Sequence, residues 1–278
     1  MTTAVCGRCG LVAVSPRPED AWFDEFYAVH FWPTYIGSRF ADPDDLFLRD
    51  RCVERSDQIL ATIAADLPAD VAGCLDVGSG QGGMLLALRR RFPGARVVGV
   101  EPSESGVAFI RSRHGLDALC GRFDAAMRKR LGGPFDVVTL IHVLEHALDP
   151  LQLLRDVRAE LGDGGRAYVE VPDLESPHWT GAAFLHIAHL HLFAQSTLEA
   201  LLLRAGLEPV AFHRGSSEHW PWALGVVCRR ADAPAGEEVP SRPRAEIRRI
   251  KRALRRKVSG PRRRPGLAAL TRRLRGDG

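Results

Sequence analysis

Residues 75–83 read LDVGSGQGG, and their glycines fit two different nucleotide loops. Taken as Gly78-x-Gly80-x-x-Gly83, the stretch matches the loop that cradles a dinucleotide. Taken as Asp76-x-Gly78-x-Gly80-x-Gly82, it matches the loop of another adenosine-containing ligand. Both readings share one physical basis. A strand, a glycine turn and a helix N-terminus make a corner where small residues let a ligand approach the backbone and N–H groups face it.

Two acids bear on the choice. Asp76 lies two residues before Gly78, where a carboxylate repels a pyrophosphate lying over the glycines but favours an ammonium. S-adenosylmethionine (SAM) has no phosphate, and its methionine end carries an ammonium. Glu101 closes the run ARVVGVE and is placed to accept hydrogen bonds from both ribose hydroxyls of an adenosine, which suits either ligand.

Outward from the loop, short β-branched runs alternate with helical segments. GCLDVG, ARVVGVE, DALC, FDVVTLI and RAYVEV are separated by helical patterns near 82–91, 103–114, 124–131 and 150–161. This rhythm predicts βαβ units and a parallel sheet. The unbroken apolar run VVTLI suits a strand buried on both faces. After a helix near 196–205, LEPVAFH and ALGVVCRR follow each other without a helix, so they pair antiparallel. The expected fold is therefore α/β: a seven-stranded Rossmann-like sheet with an antiparallel last strand, a helical N-terminal lead and a basic C-terminal tail. The layout divides into a Cys- and Pro-containing lead (1–20), a helical cap (21–69), the α/β domain (70–230) with an insertion at 172–193, and a linker and tail (231–278).

In this order LDVGSGQG, VVGVEPSE, PFDVVTLIHVLEHALDP and LGDGGRAYVEVP resemble the successive motifs of class I SAM-dependent methyltransferases. They resemble most the bacterial small-molecule branch of ubiquinone-type and polysaccharide-cluster enzymes. The resemblance spans about residues 70–230. It implies that Asp76, Gly78, Ser79 and Gly80 surround the methionine end of SAM, that Glu101 grips the ribose and that Phe123 packs on the adenine. Family members often carry an acid directly after the glycine of the adenine slot; here Arg122 stands there, and Asp124 either replaces the acid or starts the next helix, where an acid suits the helix dipole.

The segment IHVLEH is where methyl group and acceptor meet in this family. Methyl transfer is an in-line displacement that needs the acceptor held opposite the sulfur and its proton removed. His142, Glu145 and His146 are the titratable groups there, with His142 also beside the cofactor, and His189 of the insertion joins them as acid–base candidate. In the resembling ubiquinone O-methyltransferases these three positions bind a divalent ion. The first is Glu in that group and His142 here, so no metal ligand set is assigned; the bland alternative makes Glu145 and His146 caps of the next helix. His189 and His191 alternate as on one strand face. The acceptor pocket is expected from the insertion (His178, Trp179, His186) together with the aromatic residues Trp22, Phe26, Tyr27 and Trp32. The [DN]PP[YFW] motif typical of enzymes acting on base or amide nitrogens is absent, which disfavours those acceptors.

Composition bounds the rest. With 278 residues, 45% hydrophobic and 26% charged, the chain is typical of globular proteins. No apolar run reaches the roughly 20 residues of a membrane span, and MTTAVCGRCG lacks the features of a secretory signal, so a cytoplasmic location is expected. Cys6 and Cys9 resemble half of a zinc ribbon, two ligands short of a tetrahedral site. The net charge of +4 hides a division: residues 241–278 hold 15 Arg or Lys against two acids. Ile247, Ile250, Leu254 and Val258 form a stripe among these arginines, and Leu267, Leu270 and Leu274 repeat it. That pattern suits either a solvated extension or peripheral attachment to an anionic membrane; nucleic acid is disfavoured because no aromatic is present to stack on bases. The functional expectation is methyl transfer from SAM to oxygen of a small molecule or a lipid- or nucleotide-linked sugar. The alternatives are an NAD(P)-dependent oxidoreductase and a catalytically silent binding or scaffold protein of the same fold.

Overall fold

A computed structural model describes residues 2–31, 51–178, 188–215, 217–218, 220–232 and 241–259. Its centre is a seven-stranded sheet: β3 (Gly73–Val77), β4 (Arg96–Glu101), β5 (Asp117–Cys120), β6 (Phe135–Ile141), β7 (Leu161–Pro172), β9 (Leu207–Arg214) and β10 (Ala223–Arg230). The spatial order is β5-β4-β3-β6-β7-β10-β9. β3 through β7 pair in parallel, while β10 runs antiparallel to both of its neighbours. The chain's last strand is thus the one reversed strand, and it is inserted between β7 and β9 instead of forming the edge.

The helices that cover the sheet follow from local chemistry. α3 (Gly83–Arg91) springs from the glycine loop. α4 (Glu104–Phe109) is capped by the Ser103 hydroxyl, which accepts from Gly106 N–H. α5 (Ala125–Leu131) and α6 (Pro150–Glu160) start at Asp124 and Asp149, each carboxylate accepting two N–H bonds from the first turn. One core cluster joins Leu75, Val98, Val138 and Val169 to α5, α6 and α7 (Gln195–Arg204). The other joins Cys74, Val97 and Val137 to α2 (Cys52–Thr62), α3 and α4. Strands buried on both faces explain their uninterrupted apolar sequence.

The lead is more organised than a linker. β1 (Thr2–Val5) and β2 (Val12–Ser15) form a hairpin, and β8 (His191–Leu192) from the far end of the insertion adds a third antiparallel strand beside β2. α1 (Asp20–Glu25) follows and widens into a π-helical turn over Phe26–His30. Cys6 and Cys9 sit at the hairpin tip with free thiols. Backbone N–H groups of Cys9 and Arg8 pull the Cys6 thiol below its usual range, and burial pushes Cys9 up. Among the described residues no third ligand joins them.

The tail departs from expectation. α8 (Arg244–Ser259) is a helix with the anticipated stripe, but most of that stripe is already covered, Val258 at its end being exposed. Ile247 and Ile250 are buried, and Ile250 and Ala253 pack with Val12, Leu174, Leu192 and Ala194. Lys257 is buried too; its Nζ donates to Ser176 O at 2.6 Å, and desolvation lowers it to about 8. An apolar face spent on the protein's own body is not available to a bilayer. Residues Leu267, Leu270 and Leu274 lie outside the described residues, as do Trp32, Trp179 and His186.

Candidate functional site

The loop after β3 turns sharply because its glycines adopt left-handed backbone angles. Gly78 is the tightest case: with φ of +75°, an added Cβ would stand 2.4 Å from Val143 Cγ2. Ser79 turns inward. Its hydroxyl donates to Asp76 O at 2.9 Å, so its side chain braces the corner and does not face a ligand. Asp76 is buried beneath the loop, where Thr139 Oγ1 donates to Oδ1 at 2.6 Å. Burial lifts its carboxyl to about 7, opposed by the Thr139 bond. Glu101 reaches back to the loop, accepting from Gly80 N at 2.9 Å and Ser103 N at 3.1 Å. These bonds hold the carboxylate at the end of β4 in one position.

A cleft of about 530 Å³ opens from this corner. Val77, Gly78, Val100, Phe123, Val143 and His146 line it, with Val143 packed against Gly78. That volume is in the range of small-molecule pockets. Its roof is α1, whose Asp20, Phe23, Asp24 and Tyr27 face inward at i, i+3, i+4 and i+7. The same helical phase turns Trp22 outward and leaves Phe26 stacked on it at 5.1 Å, away from the cleft lining. Of the three expected pocket aromatics among the described residues (Trp22, Phe26 and Tyr27), Tyr27 is the one that lines the cleft. Asp124 caps α5 through Oδ1 and also lines the cleft.

His142, Glu145 and His146 separate into different roles. His142 holds a left-handed φ of 56°, uncommon outside glycine and a mark of local strain. Its Nδ1 meets Glu145 Oε1 at 3.1 Å, and its Nε2 lies 3.2 Å from Glu170 Oε1. Trp220 and Trp222 pack against the ring at 4.3 and 5.2 Å. Glu170, wholly buried, also takes bonds from Tyr168 OH at 2.7 Å and Arg55 Nη2 at 3.2 Å. His142 thus has a carboxylate near each ring nitrogen and is not among the residues that line the cleft. Arg55, Glu170, Trp220 and Trp222 escaped the sequence reading. The Glu in RAYVEV was the available signal, since a charge in a strand buried on both faces demands a partner.

His146 does line the cleft. Its Nδ1 is 2.7 Å from Ala188 O, its Nε2 is 3.8 Å from Glu145 Oε1, and burial lowers its pKa, so the ring is neutral at pH 7. His189 stands beside it at 5.1 Å between ring centroids, with Tyr27 and Phe31 edge-on at 5.7 and 5.8 Å. Neither Glu145 nor His146 caps a helix; Asp149 does that for α6. His191, close to the Ala147 backbone, is held down to about 4 by burial and nearby Arg17. His178 is exposed. One ligand atom each from Glu145, His146 and His189 falls within 4.8 Å of the others. Two imidazoles and a carboxylate form a donor set able to hold a divalent transition-metal ion.

Comparison with known proteins places this geometry. Residues 48–211 match the family described as Methyltransferase domain. The ubiquinone biosynthesis O-methyltransferase of Ruegeria sp. is 30% identical over 178 residues, 56% of this chain and 71% of that one. That of Caulobacter vibrioides is 33% identical over 127 residues; the match covers 44% of this chain and about half (48%) of the relative. Among solved structures, Burkholderia thailandensis 1,6-didemethyltoxoflavin-N1-methyltransferase, with 1,6-didemethyltoxoflavin and S-adenosylhomocysteine bound, superposes with a TM-score of 0.57. It is 21% identical, over 80% of this chain and 95% of that one. Streptomyces venezuelae DesVI gives 0.53 at 20% identity, over 69% and 98%. At these identities the structures attest the fold.

Proposed function

The chain belongs to the family of SAM-dependent methyltransferases, and on that premise we propose that it moves a methyl group from SAM to an oxygen of a small acceptor. The observation that carries this reading is the cleft itself, whose lining brings Gly78, Phe123 and His146 together. SAM supplies an electrophilic methyl on sulfur; as the new oxygen–carbon bond forms, the sulfur–carbon bond breaks and S-adenosylhomocysteine leaves. The chain's part is to orient and to manage the proton. Glu101, fixed by Gly80 and Ser103, is positioned for the ribose diol, and Phe123 for the adenine face. Asp76 favours the ammonium end. The acceptor proton goes to His146, whose lowered pKa keeps it an unprotonated base at neutral pH.

The names of the relatives support oxygen as the acceptor atom and a small molecule as its carrier; a lipid- or nucleotide-linked sugar remains within that class. Contact with an anionic membrane surface, if the acceptor is lipid-linked, falls to the exposed arginines of α8, because Ile247 and Ile250 of its apolar stripe are buried. No described helix is long and apolar enough to cross a membrane.

Calorimetric titration with S-adenosylhomocysteine and with NADH separates the reading from a hydride-transfer enzyme. Binding of the first and indifference to the second is expected; the reverse refutes it. His146→Ala is expected to lower kcat by about 10²–10⁴ while changing S-adenosylhomocysteine affinity less than about twofold. Unchanged turnover in the His146→Ala/His189→Ala double variant would remove both as acid–base groups. A silent scaffold would show binding with no turnover for any acceptor tried. The Glu145–His146–His189 cluster sustains one second reading, in which His146 ligates an ion instead of taking the proton. Turnover lost on chelation and restored by added metal would establish it; turnover indifferent to chelator keeps His146 as base.

A further inference from the structure

Several buried polar atoms lack a hydrogen-bond partner among the described residues, and one of them belongs to a residue that lines the cleft: the hydroxyl of Tyr27. Its surroundings make this costly. The ring sits within an aromatic cluster with Phe23 at 4.7 Å, Phe26 at 5.4 Å and Phe31 at 4.9 Å, where a phenylalanine would pack equally well with no hydroxyl to desolvate. A buried donor without an acceptor is destabilising, whereas its apolar isostere is neutral or better. The fold does not need this oxygen, so a ligand is the remaining use for it.

The position says which ligand. Tyr27 hangs from the roof of the cleft, opposite the Gly78 corner that it lines together with Val77, Val100 and Pro102. Burial keeps the phenol protonated, and the negative charges of Glu145 and Glu101 act in the same direction. α1 is pinned to both rims: Asp24 pairs with Arg122 at 3.0 Å on one side, and Arg17 donates to Leu148 O at 2.6 Å on the other. Both attachments involve exposed groups, and such surface contacts are weak enough to open.

We propose that Tyr27 is a cofactor-binding residue carried on a lid: its hydroxyl donates a hydrogen bond to an oxygen of the adenosyl ligand, and α1 settles over that ligand once it is bound. This deepens the proposed function and rests on reading the cleft as the SAM pocket. The test compares the wild-type chain with Tyr27→Phe by thermal melting without ligand and by calorimetry with S-adenosylhomocysteine. The expected result is a ligand-free melting temperature that is equal or higher in the variant, with affinity for S-adenosylhomocysteine reduced roughly tenfold. A purely structural hydroxyl predicts the opposite pair, a lower melting temperature and unchanged affinity, and that outcome overturns the assignment alone. A wild-type chain that ignores S-adenosylhomocysteine overturns the pocket reading and this assignment together.

Discussion

A carboxyl group in the dry ground beneath a strand end resists ionisation, and Asp76 is in that situation. Its folded value of about 7 lies above its ordinary 3.8. Between those values the folded chain holds a proton that the unfolded chain has released, so stability falls as pH rises from about 4 to about 7 and is level above that. A tenfold change in proton affinity corresponds to about 1.4 kcal/mol, so the full effect is at most about 4 kcal/mol. Asp76→Asn removes the ionisation. The variant should therefore be more stable than wild type at pH 8, show a smaller difference at pH 4, and bind S-adenosylhomocysteine more weakly. Denaturant melts at the two pH values check the first part; a variant destabilised equally at both would place the value of Asp76 in packing and not in charge. The residue roles that sequence reading missed have a common cause. Ser79 and His142 occupy the right positions in their motifs, but a motif does not say which way a side chain turns. Ser79 turns to the carbonyl of Asp76, and His142 turns between two glutamates that lie 25 residues apart in the chain.

Elements show a similar division between what is local and what is not. Helical phase, caps and glycine turns are written in neighbouring residues, which is why α3, α5, α6 and α7 lie close to where the apolar spacing puts them. The tail illustrates the other half. Its stripe of Ile247, Ile250 and Leu254 is legible in the sequence, but amphipathicity does not name what the stripe meets, and here it meets Val12 and Leu192. Two consequences separate packing from charge. Ile250→Ala should cost about 2–5 kcal/mol in thermal or chemical unfolding, as for other fully buried large-to-small changes; a loss near zero would mean that α8 is not docked in solution. Arg248, Lys251 and Arg255 lie on the exposed face. Replacing all three with Ser should leave the melting temperature nearly unchanged and abolish co-sedimentation with anionic vesicles, if the arginines supply the membrane contact. Equal sedimentation of variant and wild type, or sedimentation with neutral vesicles, contradicts that contact. Deleting the tail outright would confuse the two effects, since it would strip the cover from Leu174 and Ala194.

At the scale of the whole molecule, the alternation of short apolar strands with helices specifies the sheet, and two successive strands without a helix specify its reversed member. The placement of that strand inside the sheet is a matter of tertiary pairing, which β-branched runs alone do not record. The pairing of β2 with β8 is less legible still: it joins residues 12–13 to 191–192, and the short apolar runs carry no signal of their partner. That pairing ties the lead to the insertion, brings α1 to the cleft and sets His189 beside His146. The lining of the cleft is therefore legible where it belongs to the parallel half of the sheet (Gly78, Phe123, His146) and illegible where the lead and insertion complete it.

The account turns on a buried acid near neutrality gaining an ammonium for a neighbour, and proton linkage reads that event directly. S-adenosylhomocysteine should be titrated at pH 7 by calorimetry in buffers of differing ionisation enthalpy, against wild type and Asp76→Asn. The predicted result is that the wild-type chain releases up to roughly half a proton more on binding than the variant does, because the ammonium draws Asp76 into its charged form. Binding with identical proton exchange in the two proteins would contradict the role given to that carboxylate, and absence of binding would contradict the whole.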